Sequence, residues 1–84
     1  GVYHVVVKVD GRRYEGLMNL GVRPTFGRGP VVCEAHLPTL RGELYGKPVT
    51  INLLSYLRAE RRFPHPEALV RQIRQDLRRV NLLS

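Results

Sequence analysis

Glu34 and His36 stand two residues apart in a segment of alternating apolar residues, 31–37. On a β-strand that spacing projects both side chains from one face, about 7 Å apart. A carboxylate and an imidazole so placed can move a proton as an acid–base pair. The same pattern also suits a Glu34 that simply faces solvent on a half-exposed sheet. Generic catalytic motifs are otherwise nearly absent. There is no Walker loop, and Gly27-Arg28-Gly29 does not lead into a helix, so it is not a dinucleotide fingerprint. No Ser/His/Asp arrangement suggests a nucleophile. His4, His36 and His65 are scattered and Cys33 is the one cysteine, so no metal-ligand spacing is visible. Cys33 alternates with Val31, Ala35 and Leu37 and is expected to be a buried, inert thiol.

Those residues belong to a chain of 84 residues, room for one small domain. A unit of this size buries only about 60–65% of its unfolded surface, so its stability is marginal. The hydrophobic fraction of 43% is ordinary, and no segment approaches the roughly 20 apolar residues of a membrane helix. No signal peptide opens the sequence, and a lone cysteine fits a reducing cytoplasm. The chain begins at Gly1, inside what reads as a strand, which suggests a piece cut from a longer protein. The net charge of +7 permits nucleic acid, anionic lipid or a phosphorylated small molecule as partner. Its distribution weakens the first two, because Arg71, Arg74, Arg78 and Arg79 share one expected helix, where arginines usually form a solvated face. Arg58, Arg61 and Arg62 lie just before it.

The first two-thirds of the chain is written in strands, expected at about 2–9, 12–20, 31–37 and 47–56. Val5, Val7 and Val9 alternate with His4, Val6 and Lys8, and Asp10-Gly11 supplies a hairpin turn. Residues 12–18 return with Tyr14, Gly16 and Met18 on one face, and Asn19 to Val22 can continue the strand until Pro24 removes a donor. Loops are expected at 23–30 and 38–46, and the strand after them is rich in β-formers: Val49, Thr50, Ile51 and Tyr56. The last third changes period. Leu69, Val70, Ile73, Leu77 and Val80 recur on one face of a helix expected over 66–82, with Pro66 at its first position, Glu67 near its positive end and His65 as a weak N-cap. Four strands do not close a barrel comfortably, and strand 2–9 is expected to be an open edge that needs a partner strand.

Several segments, in order and with nearly uniform spacing, resemble the riboflavin kinase module of bifunctional bacterial FAD synthetases. They are Gly1-Val2-Tyr3, the run Gly16-Leu17-Met18-Asn19-Leu20-Gly21-Val22-Arg23-Pro24-Thr25-Phe26-Gly27, and Glu34-Ala35-His36-Leu37. Gly42-Glu43-Leu44-Tyr45-Gly46-Lys47 and Leu57-Arg58-Ala59-Glu60-Arg61-Arg62-Phe63 follow, then Glu67-Ala68-Leu69 with Gln72-Ile73 and Asp76. The most specific parts are the Asn-x-Gly-x-Arg-Pro-Thr-Phe-Gly stretch and the Leu-Tyr-Gly-Lys segment.

The resemblance implies a mainly β fold, an antiparallel six-stranded Greek-key barrel with one C-terminal helix, incomplete here because its first strand region is missing. It implies transfer of the ATP γ-phosphoryl group to the 5′-hydroxyl of riboflavin, giving FMN, with Glu34 as the base that receives the hydroxyl proton. Asn19, Arg23, His36, Arg58, Glu60 and Phe63 are the residues expected on the flavin and nucleotide side. Arg58 would pair with phosphate or flavin polar atoms. Phe63 would offer its ring face to the isoalloxazine, or else act as a hydrophobic staple against the helix. Tyr45 and Gly46 read mainly as turn and packing residues. Mg2+ and ATP are the expected cofactor and co-substrate, and an N-terminal adenylyltransferase domain the expected neighbour.

Two departures matter. The family's Gly-x-Pro-Thr-Ala-Asn segment, whose Thr and Asn serve magnesium and phosphate, is absent from these residues, so no metal ligand is assigned and the chain alone is expected to be poorly active. Pro38-Thr39-Leu40 also replaces a stretch that usually holds an Asp and an aromatic. Two other readings stand beside the enzyme: a non-catalytic flavin-binding or interaction module of the same lineage, and a basic β-rich nucleic-acid binder. The last would bind oligonucleotides with a steep salt dependence, but it wants exposed aromatics for stacking, and several of the six aromatic residues are needed for the core.

Overall fold

The computed structural model describes residues 1–22, 31–40 and 46–83, the side chains of residues 22 and 31–33 excepted. Arg23, the rest of 23–30, and Tyr45 lie outside the described residues, as does the Cys33 side chain. Four strands, β1 (Val2–Val9), β2 (Arg12–Val22), β3 (Val31–His36) and β4 (Thr50–Arg58), precede one helix, α1 (Pro66–Arg79).

The strands form one antiparallel sheet in the order β3-β2-β1-β4. Three sequential strands with the fourth returning beside the first make a Greek key. The β1–β2 turn is set by Asp10 and Gly11, both at positive φ (52° and 73°), the backbone of a type I′ hairpin. The described sheet is not closed, but its edges are β3 and β4. β1, expected to be an open edge, is instead central, hydrogen-bonded to β2 on one side and β4 on the other. That position accounts for the valine run. Val2, Val5, Val6, Val7 and Val9 are all buried, on both faces of the strand, and only Lys8 is exposed. Each buried valine contributes about 1.5–3 kcal/mol relative to an exposed one.

One face of the sheet carries the core. Val5, Val7 and Met18 are buried there with Tyr3, Leu20, Leu37 and Ile51 packed against them. Tyr3 meets Tyr56 of β4 edge to face, with centroids 5.4 Å apart. Gly16 lets β3 approach closely, for a Cβ there would collide with the His36 carbonyl oxygen and press on Leu37 Cδ2. Gly16→Ala therefore forces β3 away from β2, at a cost of about 1–3 kcal/mol. The shift is read as a lower urea midpoint.

Several boundaries differ from the sequence expectation. β3 ends at His36, and Pro38 enters a turn closed by Leu40 N–H donating to the Leu37 carbonyl at 3.1 Å. β4 starts at Thr50 rather than Lys47, since Pro48 has no N–H to give to a ladder, and it runs on to Arg58. The helix stops at Arg79, three residues early. Asn81 adopts positive φ, the Leu82 N–H donates to the Leu77 carbonyl at 2.8 Å, and the Asn81 N–H donates to that of Arg78 at 3.2 Å. These two bonds are the Schellman stop.

At the other end, His65 Nδ1 accepts from the Ala68 N–H at 3.3 Å and also lies 3.0 Å from Glu67 Oε2. One ring nitrogen cannot accept the first bond and donate the second at once. His65→Asp supplies a dedicated acceptor and is expected to raise stability by about 0.5–1 kcal/mol in the same denaturation. The apolar stripe of α1 is only partly covered. Leu77 is buried, Leu69 and Val70 remain exposed, and the most buried residue of the helix is the charged Asp76.

Candidate active site

The face of the sheet opposite the core is where the polar residues meet. In the register, Arg58 of β4 lies opposite Val2 of β1, Val2 opposite Asn19 of β2, and Asn19 opposite Glu34 of β3. The four form a single rung across the sheet, cationic at one end and anionic at the other. The next rung pairs Ser55, His4, Leu17 and His36 in the same way. Arg58 owes its place to a bulge. Between Val2 and Tyr3 the β1–β4 register shifts, so that Arg58 and not Leu57 falls opposite Val2. A one-residue slip moves a side chain to the other face.

Over this rung lie the helix and the segment before it, leaving an open cavity of about 340 Å3. Asn19, Glu34, His36, Arg58, Glu60 and Phe63 all line it, together with Val2 and Leu17 below and Leu69, Ile73 and Asp76 from the helix. Six of the residues expected from sequence thus converge on one space, and Arg23 lies outside the described residues. His36 also lines a second, more apolar cavity with Val70, Leu77 and Leu82.

The polar groups are held in different ways. Arg58 forms a two-pronged pair with Asp76: Nε donates to the two carboxylate oxygens at 3.1 and 3.0 Å and Nη2 donates to Oδ2 at 2.9 Å. Asp76 is 1% exposed, and Gln72 Nε2 donates to its Oδ1 at 3.0 Å. Arg61 completes the chain by donating to Gln72 Oε1 at 3.0 Å. The guanidinium groups of Arg58 and Arg61 both lie over the Phe63 ring, 5.9 and 5.3 Å from its centroid, within cation–π reach. Glu60 folds back over β2. Its carboxylate occupies the space a Cβ on Gly21 would need, and Asn19 Nδ2 approaches Oε1 at 3.5 Å. Asn19 Oδ1 is buried and has no hydrogen-bond partner among the described residues.

Asp76 and Gln72 are parts of this site to which sequence reasoning assigned no task. The signal was present: Asp76 follows Leu69 and Ile73 at seven and three residues, on the apolar stripe, where a carboxylate needs a buried partner. Among the described residues no group of three or more His, Cys, Asp or Glu side chains could hold a metal ion.

The family model Flavokinase, described as riboflavin kinase, matches residues 1–83. The chain belongs to the riboflavin kinase family. A bifunctional riboflavin kinase/FMN adenylyltransferase of Pseudomonas fluorescens is 40% identical to it over 85 residues, covering 100% of this chain and 27% of that protein. An RNA-binding riboflavin kinase, RibR, of Bacillus subtilis is 36% identical over 78 residues, covering 92% of this chain and 34% of the relative. The chain thus spans about a quarter to a third of the length of these two curated relatives. A crystal structure of a macrolide-efflux protein from Streptococcus pneumoniae superposes with a TM-score of 0.89 at 25% identity, over 100% of this chain and 28% of that one. That likeness is one of fold. No helix among the described residues is long and apolar enough to cross a membrane.

Proposed function

We propose that this domain binds riboflavin in the cavity over the Arg58–Val2–Asn19–Glu34 rung and serves its phosphorylation by ATP to FMN. The observation that carries the reading is the rung itself, which places a carboxylate and a cationic fork at opposite ends of one cavity in a chain of the riboflavin kinase family. The cavity volume falls within the roughly 300–1,000 Å3 of small-molecule sites.

In this reading the 5′-hydroxyl lies at the Glu34 end. An aliphatic alcohol is too weak an acid to ionise near neutrality, so it needs a positioned base. Glu34 takes the hydroxyl proton as the oxygen forms its bond to the γ-phosphorus, and the bond from that phosphorus to the bridging oxygen of ADP breaks. Base help of this kind is worth about 10²–10⁴-fold. The buried Asn19 Oδ1 is an acceptor suited to a ribityl hydroxyl, and His36 stands on the same strand face as Glu34. Phe63 offers a ring face to the isoalloxazine beside Arg58. Glu60, backed against Gly21, keeps Asn19 in place through its amide.

Phosphoryl transfer also requires neutralisation of charge around the phosphates, commonly by metal ions. No described residue is assigned to that task. Arg23 belongs to the nucleotide side in this reading, and the names of the relatives suggest an adenylyltransferase domain as its neighbour in the intact protein.

The test is FMN formation from riboflavin and ATP by the product of the intact gene, followed by chromatography, with riboflavin binding measured by flavin fluorescence. Binding and ATP-dependent FMN formation support the reading. A protein that neither binds riboflavin nor forms FMN overturns it.

A further inference from the structure

Arg58 has five N–H donors. Asp76 takes the Nε–Nη2 edge, and the Ala59 carbonyl accepts from Nη1 at 3.2 Å. Among the described residues one N–H on each Nη nitrogen is left without an acceptor, on a side chain that lines the cavity. An arginine beside an open cavity ordinarily samples many rotamers, and ordering it costs entropy at the moment of binding. Here that cost is met before any ligand arrives. The carboxylate that holds it is fully buried on the helix, and its second oxygen is braced by Gln72, itself held by Arg61.

A buried ion pair is a poor device for stability alone, because apolar residues of similar volume usually serve as well or better. It is a good device for holding a planar fork in one orientation. We infer that Asp76, braced by Gln72, is a positioning residue for flavin recognition, presenting the free N–H groups of Arg58 to the carbonyl oxygens on the pyrimidine-like edge of the flavin ring. This inference rests on the flavin reading of the cavity. It assigns Arg58 to the ring and not to a phosphate, and it gives Asp76 and Gln72 a task neither performs by touching substrate.

The experiment is a fluorescence titration of the intact gene product with riboflavin, which has no phosphate, and with FMN. Asp76→Asn keeps the shape but loses the charge, and is expected to weaken riboflavin binding about tenfold, the worth of a charged hydrogen bond. KM for ATP should stay within about twofold, as it would not after a general loss of structure. Arg58→Lys, which keeps the charge but lacks the fork, should show a similar loss. Because Asp76 acts through Arg58, the double variant should bind no more weakly than Arg58→Lys alone. Gln72→Leu, on a half-buried residue, removes the brace and the bond Arg61 gives it while leaving the Arg58–Asp76 pair, and should cost about threefold, which keeps the test sharp if Asp76→Asn folds poorly. Wild-type affinity in Asp76→Asn or Gln72→Leu, losses that multiply in the double variant, or a loss confined to FMN would overturn the assignment. A wild-type protein that binds no riboflavin overturns the flavin reading and this inference together, an outcome seen before any variant is made.

Discussion

Glu34→Gln is expected to lower FMN formation by about 10²–10⁴-fold while leaving riboflavin affinity within about threefold of wild type. Glutamine keeps the length of the side chain and one oxygen acceptor, so the cavity keeps its shape and a hydroxyl can still be held there. What it loses is the ability to accept a proton at the moment the alcohol attacks. The loss should therefore fall on kcat and not on KM for riboflavin, the mark of an interaction made only in the transition state. Initial rates at saturating riboflavin and ATP, set beside a flavin titration, check both halves. Turnover near wild type removes Glu34 from the role of base. A loss confined to KM makes it a binding residue instead.

The second large effect is on stability. Arg58→Leu leaves Asp76, 1% exposed, as a buried carboxylate that has lost the one cation paired with it among the described residues. Breaking a buried pair from one side costs about 3–5 kcal/mol, mostly the penalty of the stranded charge and not the worth of the pair. In a domain this small 1 kcal/mol shifts the melting temperature by about 4–8 °C, so the single variant should melt at least about 12 °C lower. Arg58→Leu combined with Asp76→Leu removes both charges and should recover most of that loss. A single variant as stable as the double would mean that Asp76 finds another partner or takes up a proton without penalty. Thermal and urea unfolding of the wild type, Arg58→Leu, Asp76→Leu and the double variant complete the cycle.

The hairpin of β1 and β2 was legible because Asp10-Gly11 is a strong local turn signal between alternating runs, and both residues take the positive φ it requires. The helix was legible from its stripe and from Pro66, but its end was not. A local signal exists in Arg78, Arg79 and Asn81, a residue that accepts the left-handed backbone of the Schellman stop, but Val80, Leu82 and Leu83 carry the apolar pattern on past it. The place of β1 was misjudged for a similar reason. Valines at both alternating positions show a strand covered on both faces, but which strand lies beside it is a long-range fact, decided by the return of β4. The shift that sets Arg58 opposite Val2 is a bulge, and bulges leave no mark in an alternation of exposed apolar residues such as Leu53, Leu54 and Tyr56. For the site, composition and spacing left Glu34 an ordinary strand carboxylate. The family resemblance raised it to a candidate base. A single acidic residue on a helix is usually solvated, so the place of Asp76 on the apolar stripe is an easily missed signal, and the packing gives it its meaning.

The polar rung takes one residue from each of four strands, and its outermost members, Glu34 and Arg58, sit on the two edges of the sheet. No contiguous stretch of chain contains the site, and neither the β1–β2 hairpin nor the β4–α1 pair carries both charged ends. A ligand held across that rung is thus bound only by the fully assembled unit. By mass action it stabilises every strand at once, by about 2.7 kcal/mol at a hundred times its dissociation constant. For a domain of marginal size, the supply of such a ligand and the stability of the fold become one equilibrium.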